Sequence, residues 1–251
     1  MSPTLHVTGA TGYLGSELVR LRRDASTERV EIRDAAAVLG LFERIRPDVV
    51  VHTAYRQDDD AVNTDGSENV ARAAAAIGAR LVHLSPDVVF DGRKGAPYVE
   101  DDPLSPVTDY GRAKAEAERR VRAAHPEALI VRTSLLYGGA RPSRHELAAH
   151  DPEFTFFTNE IRSPVHVTDL AQALLELVAH DVQGPLHVAG ADAVSRAELA
   201  ELIRGGPVRS APAPETRPLD CSLDSSRAQA LLATSLRGVR DVLGRRSAAT
   251  Q

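Results

Sequence analysis

Leu5-His6-Val7-Thr8-Gly9-Ala10-Thr11-Gly12-Tyr13-Leu14-Gly15 is the stretch on which the fold turns. A strand candidate, Leu5–Thr8, runs into three glycines spaced three apart, and Leu14, Leu18 and Leu21 then recur at helical spacing. In a strand–turn–helix of this kind the first glycine permits the tight turn. The second lets the backbone approach a pyrophosphate, and the third lets the helix pack closely on the strand. The free N–H groups that open the helix then favour an anion. With 17 glycines in 251 residues, three at these offsets arise by chance in roughly 8% of shuffled chains, so the pattern draws its weight from context.

That context is an alternation of strand and helix signals. Strand candidates follow at 29–32, 49–51, 80–85 and 128–133, and helix candidates at 14–23, 34–45, 65–77 and 109–124. Strands that are apolar throughout and alternate with helices imply a parallel sheet covered on both faces. With right-handed crossovers this is an α/β fold, a Rossmann-like doubly wound parallel sheet. Beyond Gly138 the pattern loosens, with strands at 154–157 and 185–189, a helix at 168–179, and the capping box Ser195-x-x-Glu198 opening another. The expected organisation is a dinucleotide-binding domain over 1–138 and a smaller C-terminal substrate lobe over 139–251, the two interleaved into one globular unit. The polar, Pro/Gly-rich loop 86–108 is long enough to expect a functional role.

Composition narrows the class. The chain is 43% hydrophobic and 26% charged, the balance of a soluble globular protein. A net charge of −5 argues against a nucleic-acid binder. Cys221 is the single cysteine, which excludes an internal disulfide and a Cys-rich metal site. No apolar run approaches the roughly 18 residues of a membrane span, and the first residues lack the basic and apolar regions of a signal peptide. A cytoplasmic protein with a small-molecule substrate, and without nucleic-acid or membrane partners, is expected.

The second informative stretch is Tyr110-Gly-Arg-Ala-Lys114. Of the 30 basic residues only Lys94 and Lys114 are lysines. At i and i+4 on a helix, Tyr110 and Lys114 share one face. A phenol is a poor proton carrier at neutral pH unless its phenolate is stabilised, and a neighbouring ammonium supplies that stabilisation. Lysine also offers rotatable donors suited to ribose hydroxyls. With five tyrosines and two lysines, the spacing is expected by chance roughly 0.04 times.

Together these stretches resemble the extended short-chain dehydrogenase/reductase superfamily, and within it sugar-nucleotide reductases of the dTDP-4-dehydrorhamnose reductase type. The likeness continues in order through Arg46-Pro-Asp-Val-Val-Val-His-Thr-Ala54, Val62-Asn63, Val89-Phe-Asp-Gly92, Val131-Arg-Thr-Ser134, Ser163-Pro164, Asp169-Leu-Ala171 and Arg217-Pro218. The resemblance implies that NAD or NADP lies on Gly9, Thr11, Gly12, Tyr13, Leu14 and Gly15, with Glu31 and Ile32 at the adenosine end. Thr53, Ala54 and Tyr55 would line the cofactor cleft, and Thr133 would sit by the nicotinamide. It implies Tyr110 as the acid that protonates a substrate carbonyl, and Lys114 as the residue that binds the nicotinamide ribose and lowers the Tyr110 pKa. The implied substrate is a nucleotide-sugar, and a homodimer is carried as an open expectation.

Three departures set this chain apart. Relatives usually place a threonine hydroxyl at the end of the strand before the long loop, where this chain reads Ser85-Pro86-Asp87. Pro86 can donate no hydrogen bond, so Ser85 takes the third catalytic place only if the strand end lets it face the tyrosine. Between Gly15 and Glu31 the chain is short, and 29–32 must serve as strand and adenosine contact at once. There Glu31 suits the ribose hydroxyl of NAD, whereas Arg29 or Arg33 suits the 2′-phosphate of NADP. The segment 52–63 is also trimmed, and its acidic run 58–60 reads as a solvated loop and not a metal site; no metal is expected. His6, His83 and His187 are expected to be packed, not catalytic. The leading expectation is an NAD(P)-dependent oxidoreductase. The alternatives are a non-redox epimerase, dehydratase or lyase, and a non-catalytic dinucleotide-binding regulatory subunit resembling the β subunit of methionine adenosyltransferase.

Overall fold

Apolar β-branched runs build the centre of the molecule, which the computed structural model describes over residues 3–248, with side chains to residue 244. Met1, Ser2 and residues 249–251, included in the reading above, lie outside the described residues. Strands β1 (Leu5–Thr8), β2 (Val49–His52), β3 (Arg80–Pro86) and β4 (Leu129–Thr133) form successive parallel neighbours. Four two-residue strands follow: β5 (Leu136–Tyr137), β6 (Phe156–Phe157), β7 (Ile161–Arg162) and β8 (Val165–His166). Then β9 (Gly184–His187) joins β4 and completes the five-stranded parallel sheet, so the C-terminal half supplies one of its strands. β10 (Val194–Ser195) pairs with β7, β11 (Ser210–Ala211) with β6, and β5 with β8.

Alternation along each strand divides the core into two layers. Val7, Val51, Val82 and Val131 face α1 (Tyr13–Leu21) and α6 (Val167–Leu177), meeting Leu14, Leu18, Leu170 and Leu174. Val50, Leu81 and Ile130 face α2 (Ala35–Ile45), α3 (Ser67–Ile77) and α4 (Asp109–Ala124), meeting Phe42, Val70 and Val121. Helices therefore cover both faces, as a doubly wound sheet requires. Local chemistry sets their ends. The Asp34 carboxylate accepts from the Ala37 N–H at 3.0 Å to start α2, and Gly78 at φ 71° closes α3 in a left-handed turn. The C-terminal lobe adds α5 (Arg144–Ala149), α7 (Arg196–Arg204), α8 (Ser226–Leu231) and α9 (Val239–Ala248). Ser195 caps α7 by accepting from the Glu198 N–H at 2.9 Å, while the Glu198 carboxylate turns to Arg240. No described helix is long and apolar enough to cross a membrane.

The expected strand at 29–32 does not form. Only Ser26 bridges β1, with Val7 N–H donating to its carbonyl at 2.9 Å, and β1 is left as the edge of the sheet. A strand there would lie under helices on both sides, and Glu28, Arg29 and Glu31 are too polar for that place. The chain instead runs down one face in α1, turns at Ser26 and returns along the other face in α2. Helices on opposite faces thus flank β1 and β2, and the crevice at the strands' carboxyl ends opens between them.

The long loop 86–108 is tied back by buried charge. Arg132, on β4, is 4% exposed, pairs with Glu118 of α4 at 2.9 Å, and donates to the Glu100 carbonyl at 3.0 Å. The Glu100 carboxylate accepts the backbone N–H of His187 at 3.1 Å. Glu118→Leu strands the guanidinium without its carboxylate, and is expected to cost about 3–5 kcal/mol. Urea denaturation reads this as a lower midpoint at constant slope; an unchanged midpoint contradicts it.

Candidate active site

The glycine turn is built by close backbone approach. Gly9 stands at φ 70°, where a Cβ would lie 2.7 Å from the Ala54 nitrogen. A Cβ on Gly15 would sit 2.2 Å from the Gly9 carbonyl oxygen, and one on Gly12 3.0 Å from the same atom. These contacts press α1 against β1 and β2. No side chain caps α1, whose N-cap is Gly12, so the N–H groups of its first turn stay open. They face a cleft of about 870 Å³. The Tyr13 hydroxyl donates to the Gly138 carbonyl, and Arg141 lies over the Tyr13 ring while donating to the Thr11 carbonyl at 3.0 Å.

The cleft brings together Gly9, Thr11, Gly12, Tyr13, Leu14, Gly15, Ile32, Thr53, Ala54, Tyr55, Ser85, Tyr110 and Thr133. Two further residues singled out in the sequence lie off its wall. Glu31 turns to Arg33, with bonds of 2.9 and 3.0 Å. Lys114 is buried beneath the wall, where Nζ donates to the Leu84 carbonyl at 2.9 Å and lies 3.5 Å from His83 Nε2. Of the histidines expected to be packed, His6, His83 and His187 are fully buried.

At the centre, Tyr110 is half-buried and its ring faces that of Tyr55 at 6.1 Å. Burial pushes its phenol above the ordinary value, with Tyr55 adding and Arg144 opposing. Burial draws the Lys114 ammonium down to about 8, against the pull of Glu118. His83 and His52, buried beside it, are held neutral by desolvation and the lysine charge. Strand β3 continues through Pro86, which registers with Thr133 of β4 as Ser85 registers with Arg132. Ser85 is 2% and Thr133 9% exposed, and neither hydroxyl has a hydrogen-bond partner among the described residues. A buried, unpaired hydroxyl costs roughly 1–3 kcal/mol. Both residues line the cleft, where a ligand oxygen can complete the bonding.

Charge distinguishes this cleft from the rest of the surface. In a protein of net charge −5, seven arginines line it against two carboxylates, Glu28 and Asp87. Arg29 and Arg56 lie towards the adenosine end expected from the sequence, and Arg141 over the glycine turn. Arg144, Arg162, Arg196 and Arg217 come from the C-terminal lobe. Buried Glu160 pairs with Arg217 and, at 3.7 Å, with Arg196; Asp87 lies 3.7 Å from Arg162 and accepts from Ser134 at 2.5 Å. An excess of guanidinium over carboxylate in a recess selects an anionic ligand. Of these arginines the sequence singled out Arg29, as a partner for a 2′-phosphate, and Arg217 only within the stretch Arg217-Pro218. One signal was there to find: Ser143-x-x-Glu146 is a complete capping box opening α5, the helix that carries Arg144 and His145 into the cleft. Nothing in sequence marks Arg162 or Arg196 among so many arginines. The run 58–60 has local roles, Asp59 accepting from the Val62 N–H at 3.1 Å and pairing with Arg33 at 3.5 Å.

The chain is similar to known proteins along most of its length. The profile of the RmlD substrate binding domain matches residues 3–250. The dTDP-4-dehydrorhamnose reductase of Mycobacterium tuberculosis is 37% identical over 282 residues, covering 96% of this chain and 91% of that protein. The spore coat polysaccharide biosynthesis protein SpsK of Bacillus subtilis is 35% identical over 218 residues, covering 78% and 77%. The crystal structure of the Bacillus anthracis dTDP-4-dehydrorhamnose reductase in complex with NADP superposes with a TM-score of 0.84 at 25% identity, covering 98% of each chain.

Lys114 offers a direct check, because only Lys94 shares its residue type. Nuclear magnetic resonance of lysine-labelled protein is expected to show the Lys114 resonance, assigned by Lys94→Arg, titrating near pH 8. A midpoint near the ordinary 10.5 contradicts the burial. The unfolded chain keeps that proton to higher pH, so stability from this group rises between about 8 and 10.5.

Proposed function

The chain belongs to the RmlD substrate binding domain family of extended short-chain dehydrogenase/reductases, and from that premise we propose that it reduces a keto group on a nucleotide-linked sugar at the expense of NADH or NADPH. One observation carries this reading. A single cleft holds an open helix N-terminus on one side, a tyrosine with two unpaired hydroxyls at its centre, and an arginine cluster on the other.

The residues fit a dinucleotide. The glycine turn leaves room for a pyrophosphate where any Cβ would intrude, the α1 N–H groups face it, and Arg141 adds a cation. When bound, the nicotinamide ring supplies a hydride to the carbonyl carbon. Tyr110 then donates its phenolic proton to the oxygen on which negative charge develops. Burial keeps that phenol protonated, and therefore loaded as an acid, until the oxygen demands the proton. Lys114 lies one helical turn along α4, and its charge opposes the cost of the phenolate that remains. Thr133, directly across the ladder from Pro86 and so on its side of the sheet, donates to the carbonyl oxygen, while Ser85 alternates to the other side with Arg132. A hydroxyl on the neighbouring strand end thus does the work of the one that proline removes. Arg144, Arg162, Arg196 and Arg217 hold the substrate diphosphate, guanidinium forks being suited to phosphate oxygens.

A second reading has its own support in Pro86: a non-redox relative that keeps the cleft but moves a proton without net hydride transfer. The two part in one assay, with dTDP-4-dehydrorhamnose as the first substrate and the free keto sugar as control. NADPH or NADH oxidation is expected with the nucleotide-linked compound and not with the free sugar. Tyr110→Phe is expected to lower kcat/KM by about 10²–10⁴ while leaving dinucleotide binding intact. Sugar conversion without dinucleotide oxidation favours the second reading, and an unimpaired Tyr110→Phe enzyme removes the tyrosine from the chemistry.

A further inference from the structure

Two buried histidines stand beside Lys114, and the proposed reaction uses neither. Thr8, His52 and His83 lie in register across β1, β2 and β3, on the sheet face that carries Val50, Leu81 and Ile130. His52 is fully engaged: one ring nitrogen meets the Thr8 hydroxyl at 2.6 Å and the other the Ser67 hydroxyl at 3.0 Å. His83 is not. Its Nδ1 has no hydrogen-bond partner among the described residues, and its Nε2 meets the Lys114 ammonium at 3.5 Å. A histidine in the middle of a buried strand with an unmet nitrogen destabilises the fold where an apolar residue would not.

We propose that His83 is a positioning residue for Lys114: its neutral imidazole carries its proton on Nδ1, accepts a hydrogen bond from the ammonium through Nε2, and so holds that charge one helical turn from Tyr110. The inference rests on reading Tyr110 and Lys114 as the reacting pair. An ammonium has donors and no acceptor, so the nitrogen facing it must offer a lone pair, and the ring proton falls to Nδ1. Burial and the lysine charge both keep the ring from taking a second proton. With the Leu84 carbonyl at 2.9 Å, the imidazole gives the ammonium two acceptors on β3. One of its three N–H groups is then uncommitted among the described residues. No other group supplies the same support. Glu118, one turn further along α4, pulls on the lysine but is itself bound by Arg132 at 2.9 Å. His52 is held neutral. The charges on the other segments packed against α4 are taken up elsewhere. Asp65 and Glu68 pair with Arg120 at 2.6 and 3.4 Å, Arg72 pairs with Glu68 at 2.6 Å, and Asp87 lies 3.7 Å from Arg162. Without the imidazole the buried ammonium keeps a single carbonyl acceptor, and its proton is held less tightly.

The test compares His83→Phe, which removes the lone pair and the unmet nitrogen together, with His83→Gln, whose amide keeps an acceptor. Nuclear magnetic resonance of the ligand-free protein reads the Lys114 midpoint and, from the ring nitrogens, the His83 tautomer. The expected results are an Nδ1–H tautomer in the unaltered protein and a Lys114 midpoint about one to two pH units lower in His83→Phe. His83→Gln is expected to restore most of that loss. In turnover, His83→Phe is expected to lose about 5–10-fold in kcat at about pH 7.5 and to recover as the pH falls, with KM for the nucleotide-linked sugar unchanged. An Nε2–H tautomer, an unmoved Lys114 midpoint in His83→Phe, or a kcat loss uniform with pH overturns the role of His83. If His83→Phe does not fold, the tautomer of the unaltered protein decides. An unaltered protein that oxidises neither dinucleotide, yet shows the tautomer and the shifted midpoint, removes the reductase reading and leaves His83 the partner of Lys114.

Discussion

The contact between Gly15 and the Gly9 carbonyl is the constraint on which the rest depends. With only 2.2 Å available where a Cβ would stand, no other residue lets α1 leave β1 so steeply. The same turn brings Gly9 against Ala54 at the end of β2, so the two strands and the helix are locked at one point. The uncapped start of α1 is thereby aimed across the sheet's carboxyl edge towards Tyr110 and the ends of β3 and β4. A cleft of this size survives without the outer strand because the edge at β1 is fixed from the inside, by the turn.

Around that point burial governs the chemistry. It raises the Tyr110 phenol and lowers the Lys114 ammonium, moving a weak acid and a strong base away from their solution values in opposite directions. In the proposed mechanism each shift has a use: the phenol stays loaded, and the lysine is held where its charge is least shielded. Buried hydroxyls at Ser85 and Thr133 carry a standing cost that a hydrogen bond to a ligand would relieve. The protein's overall negative charge is inverted inside the cleft by arginines drawn from six separate stretches of chain. Such an inversion favours an anionic ligand in the cleft over the rest of the surface.

Much of this was legible in the sequence, for identifiable reasons. β1, the glycine turn and α4 declare themselves because backbone geometry and helical spacing leave direct marks on residue type. The strand at 29–32 was misplaced because Val30 and Ile32 supply a period-two pattern while Glu28, Arg29 and Glu31 make burial on two sides untenable; only the context of the sheet edge decides between them. Lys114 was legible as a partner of Tyr110 along the helix. Its withdrawal to Leu84 and His83 was not, since those contacts cross 30 and 31 residues of chain. Thr133 as a counterpart to Pro86 depends on strand register, and the arginine cluster depends on how the C-terminal lobe folds over the sheet. Neither leaves a local signature.

Pro86 remains the point at which this chain parts from a simple reading of its family, and hydride transfer is where that difference has its consequence. The most direct measurement is isotope transfer from a reduced dinucleotide deuterated at its transferable position to a nucleotide-linked keto sugar, followed by mass spectrometry and nuclear magnetic resonance of the product. The account predicts one deuterium on the former carbonyl carbon and a proton on its oxygen. A converted sugar without deuterium at that carbon would contradict it and assign the cleft to non-redox chemistry.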